Sequence, residues 1–339
     1  KKKKKYKINV FLNDYSEVDF NFLKKNRLLK IKLNKVNTNR YNLISHIGNL
    51  LKKYSKILSK TKPDYLFIIG DRYEAFAMAI ACNFLNIRII HIAGGDITRG
   101  SYDDEMRIYI SKSAFLNFTT NNESKKNLMQ LVKDKKKIFN YGSPSLDYIK
   151  DIEKLKKTEI AEKLNIDFNK YNILVTFHPE TKNLKYTVKN LKILLSALSS
   201  LGSHYNFFIT SSNIDTFGQL FNKIIINKVK NIKNFHFFKN LGTERYIQLA
   251  LNCDMVIGNS SSLIYEIPFI GLKSLLVGSR QEGRHMSKKI IKVKINKELI
   301  IKKIKSNIKK KRPQKDFKTY GNGFASINIF KKVDRIINE

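Results

Sequence analysis

Along the chain, short runs of consecutive Val, Ile, Leu and Phe alternate with longer stretches in which apolar residues recur every three or four positions. Continuous apolar runs mark strands buried on both faces, whereas the wider spacing marks helices with one buried stripe. IGNLLKKYSKILSK (47–60) is apolar at 47, 50, 51, 54, 57 and 58, a single helical stripe, and KPDYLFIIGD then reads as a buried parallel strand. A second helix, YEAFAMAIACNFL, leads to the strand RIIHIA. Later strands are predicted at FLNFTT (115–120), KIFNYG (137–142), NILVTFH (172–178), FFITSS (207–212), MVIGNS (255–260) and SLLVGS (274–279), with helical stretches between them. Strand–helix alternation of this kind predicts an α/β fold of two doubly wound, Rossmann-like domains facing a cleft. The pattern is weakest near 150–168, which sets the expected division: 1–160 as the N-terminal domain and 161–339 as the C-terminal one, the last helix packing back on the first.

Length and composition narrow the class. A chain of 339 residues exceeds what one hydrophobic core usually organises. Cys82 and Cys253 stand far apart in apolar contexts without metal-ligand spacing, so both are expected to be buried thiols in a reducing compartment. No apolar run reaches the roughly 18 residues of a membrane helix, and no signal-peptide core follows KKKKK, so a cytoplasmic protein without a membrane partner is expected. Lys and Arg number 65 against 28 Asp and Glu, a formal net charge of +37. The lysines are spread along the whole chain with Asn and Ile, which fits biased composition better than a specific nucleic-acid site.

Against that basic background the acids of IIHIAGGDITRGSYDDE (89–105) stand out. Ligands of doubly wound folds bind where strands end, so residues that follow strands are the candidates. GDRYE (70–74) puts Asp71 at a strand end with Arg72 and Glu74 opening a helix. HIAGGD brings Asp96 to the same edge, while Asp103, Asp104 and Glu105 begin the next helix, Glu105 serving its N-terminus. In the second half, MVIGNSSSLIYEIPFIG (255–271) joins a strand to a turn with Ser260, Ser261 and Ser262 and a helix bearing Glu266, an anion site suited to a diphosphate. GSRQEGR supplies Arg280 and Arg284, TFHPET supplies His178, and TSSNID supplies Asn213 and Asp215. Sequence motifs of serine esterases, zinc fingers, P-loops and zincins are absent.

Taken in this order, GDRYEAF, HIAGGDITRGSYDDEMR, FHPET, TSSNID, GNSSSLIYEIP, GSRQEGR and YGNGFASINI (320–329) resemble the UDP-N-acetylglucosamine 2-epimerase family, with greatest likeness to its hydrolysing branch. The resemblance implies a glycosyltransferase-B-like fold that holds UDP mainly on the C-terminal domain. It also implies chemistry without metal or nicotinamide and a homodimeric, cytoplasmic enzyme of sialic- or legionaminic-acid synthesis. On it, Asp71, Asp96, Asp103 and Asp104 are acid–base candidates, with His178 near the diphosphate or the reacting sugar. Ser260 and Ser261 match phosphate contacts and Glu266 a ribose contact, and Arg280 matches a position near the nucleotide. Arg72, Glu74, Asn213, Ser262 and Arg284, in the same motifs, are expected to line the UDP-sugar site. Three positions depart from the family pattern. Ala93 stands where many relatives place Glu, Ile108 where they tend to place His, and Glu17 where an arginine helps bind diphosphate. The loss at 93 shifts weight onto Asp96. The alternatives are a non-hydrolysing epimerase, whose usual HVEAGLR segment differs from this GGD-then-DDE layout, and a UDP-sugar-binding protein without turnover.

Overall fold

A computed structural model describes residues 6–13, 27–31, 40–98, 103–164, 166, 168, 170–180, 184–212 and 218–339. Strands β1 (Asn9–Asn13) and β2 (Arg27–Ile31) pair in parallel as a two-stranded sheet. A four-stranded parallel sheet follows in the order β3 (Tyr65–Ile69), β4 (Arg88–Ile92), β5 (Leu116–Thr119), β6 (Ile138–Asn140). Between these strands run helices α1 (Arg40–Thr61), before β3, then α2 (Tyr73–Phe84), α3 (Asp103–Ser113) and α4 (Asn122–Leu131). The stripe of α1 is realised as Leu50, Tyr54 and Leu58 packed on Ala77, Ala81 and Cys82 of α2 and on Leu66, Ile68 and Ile89 of the sheet.

The second half forms a six-stranded parallel sheet. Its order is β12 (Ile291–Val293), β11 (Ser274–Val277), β10 (Met255–Gly258), β7 (Tyr171–Thr176), β8 (Tyr205–Thr210), β9 (Phe235–Phe238). Its strands alternate between two cores. Ile173 and Val175 face one cluster with α7 (Leu184–Ser199), α8 (Gly218–Val229) and α11 (Lys297–Ile308), while Leu174, Phe208 and Val256 face the other. The latter also holds α9 (Gly242–Asn252), α5 (Ser145–Ile149) and α6 (Lys157–Leu164), so Leu146, Ile149 and Ile160 pack with the six-stranded sheet. The two sheets therefore make two Rossmann-like domains of a glycosyltransferase-B-like fold.

The C-terminal helix α12 (Ala325–Asn338) returns to the four-stranded sheet, where Ala325, Ile329 and Val333 pack on Ile90, Ile92, Leu116 and Phe118. The chain crosses itself on the way, since a Cβ at Gly142 would lie 2.5 Å from the Tyr320 carbonyl oxygen and Ser143 N donates to that oxygen at 2.8 Å. Both cysteines are buried and free, with thiols pushed up by burial, Cys82 to about 12. No helix among the described residues is long and apolar enough to cross a membrane.

Strand order fixes where a ligand can enter. From the β7–β10 pair the sheet grows outward in both directions, so the connections leave opposite faces and open a crevice beyond Thr176 and Gly258, which sit in register.

Candidate active site

Gly258 ends β10 at φ 151°, where a Cβ would lie 1.8 Å from the Thr176 carbonyl oxygen. Only glycine lets the two strand ends approach this closely. Asn259 then stitches the crevice shut at its base. It accepts from His178 N at 2.7 Å through Oδ1 and donates to the His178 carbonyl at 2.9 Å through Nδ2. Its own carbonyl receives Gln281 Nε2 at 2.9 Å and Arg280 Nη1 at 3.2 Å. Burial, aided by the Arg280 charge, lowers the His178 pKa to about 3, so the ring is a neutral hydrogen-bonding group. Ser260 caps the short 3₁₀ turn Ser261–Leu263 by accepting from Ser262 N, and the Ser262 hydroxyl meets Tyr246 OH at 2.8 Å. Tyr265 and Glu266 follow, Glu266 opening α10 (Glu266–Phe269). Burial raises the Glu266 carboxyl, opposed by hydrogen bonding to Ser145 and by the Arg284 charge.

The acids of the first half converge on one cation that sequence reasoning left out of the site. Arg107, on α3 and 2% exposed, sends Nε to Asp71 Oδ2 at 2.6 Å, with Nη2 reaching the same oxygen. Its Nη1 donates to Asp104 Oδ1 and to the Asp96 carbonyl, each at 2.5 Å. Asp104 is further held by Thr98 N at 2.7 and 3.0 Å to its two oxygens. Both Arg107 bonds to Asp71 go to Oδ2, and Oδ1 accepts no hydrogen bond among the described residues. Behind Asp71, His91 Nε2 lies 3.0 Å from the Gly70 carbonyl and Nδ1 2.9 Å from Ser111 Oγ. A carbonyl only accepts, so the proton sits on Nε2 and the serine hydroxyl donates to Nδ1. Burial lowers this pKa to about 4.

Asp96 is turned differently. Oδ1 receives Ser124 Oγ at 2.5 Å and Asn121 Nδ2 at 3.4 Å, and Oδ2 receives Tyr265 OH at 2.6 Å. Arg284 also crosses to the first half, with Nε 3.1 Å from Thr98 Oγ1 and 3.9 Å from Asp96 Oδ2. Asp103 begins α3 one residue before Asp104. Arg72 pairs with Glu74 at 3.3 Å, and buried Glu74 acts through its charge on His46 of α1 and on Tyr73. Asn213, Asp215 and Glu17 lie outside the described residues. Among the described residues no group of three or more His, Cys, Asp or Glu is placed to hold a metal.

Only faint local signals mark the residues missing from the expected site. Arg107 follows Asp104 by three positions on a helix, a pairing distance. Asn259 and Tyr265 lie inside the GNSSSLIYE motif with nothing local to mark their reach across the fold.

The arrangement sets carboxylates held by a buried guanidinium against a strand–turn–helix anion site. A relative from Campylobacter jejuni subsp. jejuni, a GDP/UDP-N,N'-diacetylbacillosamine 2-epimerase (hydrolyzing), is 35% identical over 79% of this chain and 70% of its own. A UDP-N,N'-diacetylbacillosamine 2-epimerase (hydrolyzing) from Legionella pneumophila is 27% identical over 90% of this chain and 80% of its own. The UDP-GlcNAc 2-epimerase from Neisseria meningitidis, solved bound to UDP-GlcNAc, shares the fold with a TM-score of 0.76 at 19% identity, covering 92% of this chain and 86% of that one. The family model for UDP-N-acetylglucosamine 2-epimerase matches residues 12–334, and the chain belongs to that family.

Proposed function

We propose that this protein is a hydrolysing UDP-N-acetylhexosamine 2-epimerase, releasing UDP and a free 2-epimeric sugar. The observation that carries the reading is the Arg107-held pair of Asp71 and Asp104 at the strand ends of one half, opposite the Ser260–Glu266 segment of the other. The hydrolyzing activity in the names of the two curated relatives supports this branch.

The chemistry follows from the parts. Asp71 Oδ1 takes the C2 proton as the C1–O bond to UDP breaks, leaving a C1=C2 glycal and UDP. Departure of the diphosphate is favoured by the cations Arg280 and Arg284 and by N–H and hydroxyl donors at Ser260–Ser262, which face developing negative charge. Water then adds OH to C1 while C2 regains a proton on the opposite face, giving the inverted free sugar. Asp103, next to the Arg107-held Asp104, is the candidate for that second proton transfer, and neutral His178 can hydrogen-bond the diphosphate or sugar without carrying charge. Glu266 is assigned to the ribose. The product is N-acetylmannosamine or a 2,4-diacetamido analogue, a precursor for nonulosonic acids of surface glycans, and the working form is a homodimer.

The test is proton NMR in D₂O with UDP-GlcNAc and, separately, its 4-acetamido-4,6-dideoxy analogue. Free UDP with a C2-deuterated, inverted sugar is the expected outcome. An epimer still attached to UDP would place the chain in the non-hydrolysing class, and bound but unchanged substrate would leave a UDP-sugar-binding protein. Ser261→Ala combined with Glu266→Ala is expected to weaken UDP binding by about tenfold to a hundredfold, read by titration calorimetry; unchanged affinity would displace the nucleotide from this segment.

A further inference from the structure

Asp96 is the acid on which the sequence pattern leans hardest, yet its surroundings are those of a strut. Its side chain is 5% exposed and already accepts three hydrogen bonds, from Ser124, Asn121 and Tyr265, with the Arg284 guanidinium close by. A carboxylate has about four lone-pair directions, and one that spends them on fixed donors has little left for a C–H proton. The loop carrying it is locked as well. Gly95, at φ 84°, leaves no room for a Cβ, which would lie 2.2 Å from the Ser124 carbonyl oxygen, and its own carbonyl receives Asn127 Nδ2 at 2.9 Å.

The partners of Asp96 belong to two different functions. Its carbonyl oxygen is bonded to Arg107, which holds Asp71 and Asp104, whereas Oδ2 is bonded to Tyr265, the residue before Glu266 in the segment proposed to seat the nucleotide. Tyr265 is itself braced by Tyr320, ring centroids 4.1 Å apart, and Tyr320 OH donates to the His285 carbonyl on the loop that carries Arg284.

We propose that Asp96 and Tyr265 are positioning residues, a cross-domain tether that conveys the seating of the Ser260–Glu266 segment to the Arg107-held carboxylates, and that Asp96 exchanges no proton with substrate. A nucleotide that shifts the segment bearing Tyr265 acts on Asp96 through one hydrogen bond, and on Arg107 through one residue of main chain. The functional half of this inference rests on the epimerase reading; the mechanical half does not.

The test compares wild type, Tyr265→Phe, Asp96→Asn and the double variant, in two arms. In the kinetic arm each single variant is expected to lower kcat about tenfold, with KM and the Kd for UDP within about threefold of wild type, because one cross-domain hydrogen bond is weakened. The double variant is expected to be no slower than the slower single, since both changes break one interaction. Both limbs of the pH–kcat/KM profile stay in place. A loss beyond about a thousandfold in Asp96→Asn alone, with one limb gone, would make Asp96 an acid–base group and overturn the proposal. Multiplying losses in the double variant would overturn it too.

The second arm needs no turnover. Hydrogen–deuterium exchange at amides 94–98 of the ligand-free protein is expected to quicken in Tyr265→Phe, which keeps the ring against Tyr320 and is the variant safest to fold. Exchange identical to wild type would remove the tether. Wild-type protein that turns over neither nucleotide sugar while Tyr265→Phe still quickens exchange would instead defeat the epimerase reading and leave the tether standing.

Discussion

Arg107 concentrates the electrostatics of the first half in one side chain. Its guanidinium has five N–H donors in a planar fork, and the structure uses that fork on Asp71, Asp104 and the Asp96 carbonyl together. A point-like ammonium cannot reproduce the pattern. Arg107→Lys is therefore expected to fold but to let Asp71 and Asp104 drift, lowering kcat by about a hundredfold through misplacement of the base. Arg107→Met removes the charge and leaves two largely buried carboxylates without their cation, at a cost of about 3 kcal/mol, the lower end for a broken buried pair because both acids retain some solvent contact. Urea midpoints separate the two variants, and a wild-type midpoint in Arg107→Met would show that Arg107 is dispensable to the fold. The acids were legible at this scale because carboxylates are scarce in so basic a chain and four of them cluster within 89–105. The cation was not, because one arginine among 65 basic residues carries no local mark of burial.

Among the elements, glycine geometry decides how closely the two central strands of the six-stranded sheet can end. At Gly258 a methyl group would fall on the Thr176 carbonyl, and this β7–β10 junction is the floor of the crevice that sets His178 beside Asn259. Gly258→Ala must push the strand ends apart against backbone rather than against a flexible side chain, so a loss of about 3 kcal/mol or more is expected, together with weakened UDP binding. A wild-type urea midpoint would contradict this. Strands rich in consecutive apolar residues, such as β4, β7, β8 and β10, could be read directly because both their faces are buried, and β3 shows the same run although Phe67 and Ile69 on one face are exposed. The edge strands β9 and β12 could not. FHFF has one buried residue of four, and in β12 Lys292 is exposed between Ile291 and Val293, so pairing with β8 and β11 rather than local pattern makes them strands. β1 and β2 carry only the short runs VFL (10–12) and LL (28–29), whereas the return of α12 to the four-stranded sheet rests on the apolar residues Ala325, Ile329 and Val333.

For the whole molecule the governing quantities are a large positive charge and histidines that burial keeps neutral, His91 and His178 foremost, and both make the fold sensitive to acid. His91 and His178 are held at about 4 and about 3 by burial, against an ordinary value of 6.5. Unfolding returns each ring to water, where it binds a proton throughout the interval between those values, so the unfolded state gains protons that the folded state refuses. Stability is then full above about pH 6.5 and falls as the pH drops toward 4, by at most about 1.4 kcal/mol per pH unit for each histidine. Charge repulsion among the surplus lysines and arginines, +37 in formal total, grows over the same range as carboxylates take up protons. Salt distinguishes the two contributions. Exposed charges are screened within about 10 Å at 0.1 M ionic strength, whereas burial of an uncharged imidazole is not an interaction that salt screens. Urea midpoints measured from pH 7.5 to 5 at 0.05 and 0.5 M NaCl are therefore expected to keep a slope at high salt. His178→Asn should reduce that residual slope, since it removes one of the rings that burial keeps neutral and unfolding exposes to protonation. A high-salt slope that vanishes in the wild type would assign the acid sensitivity to surface charge alone, and an unchanged slope in His178→Asn would remove that ring from the account.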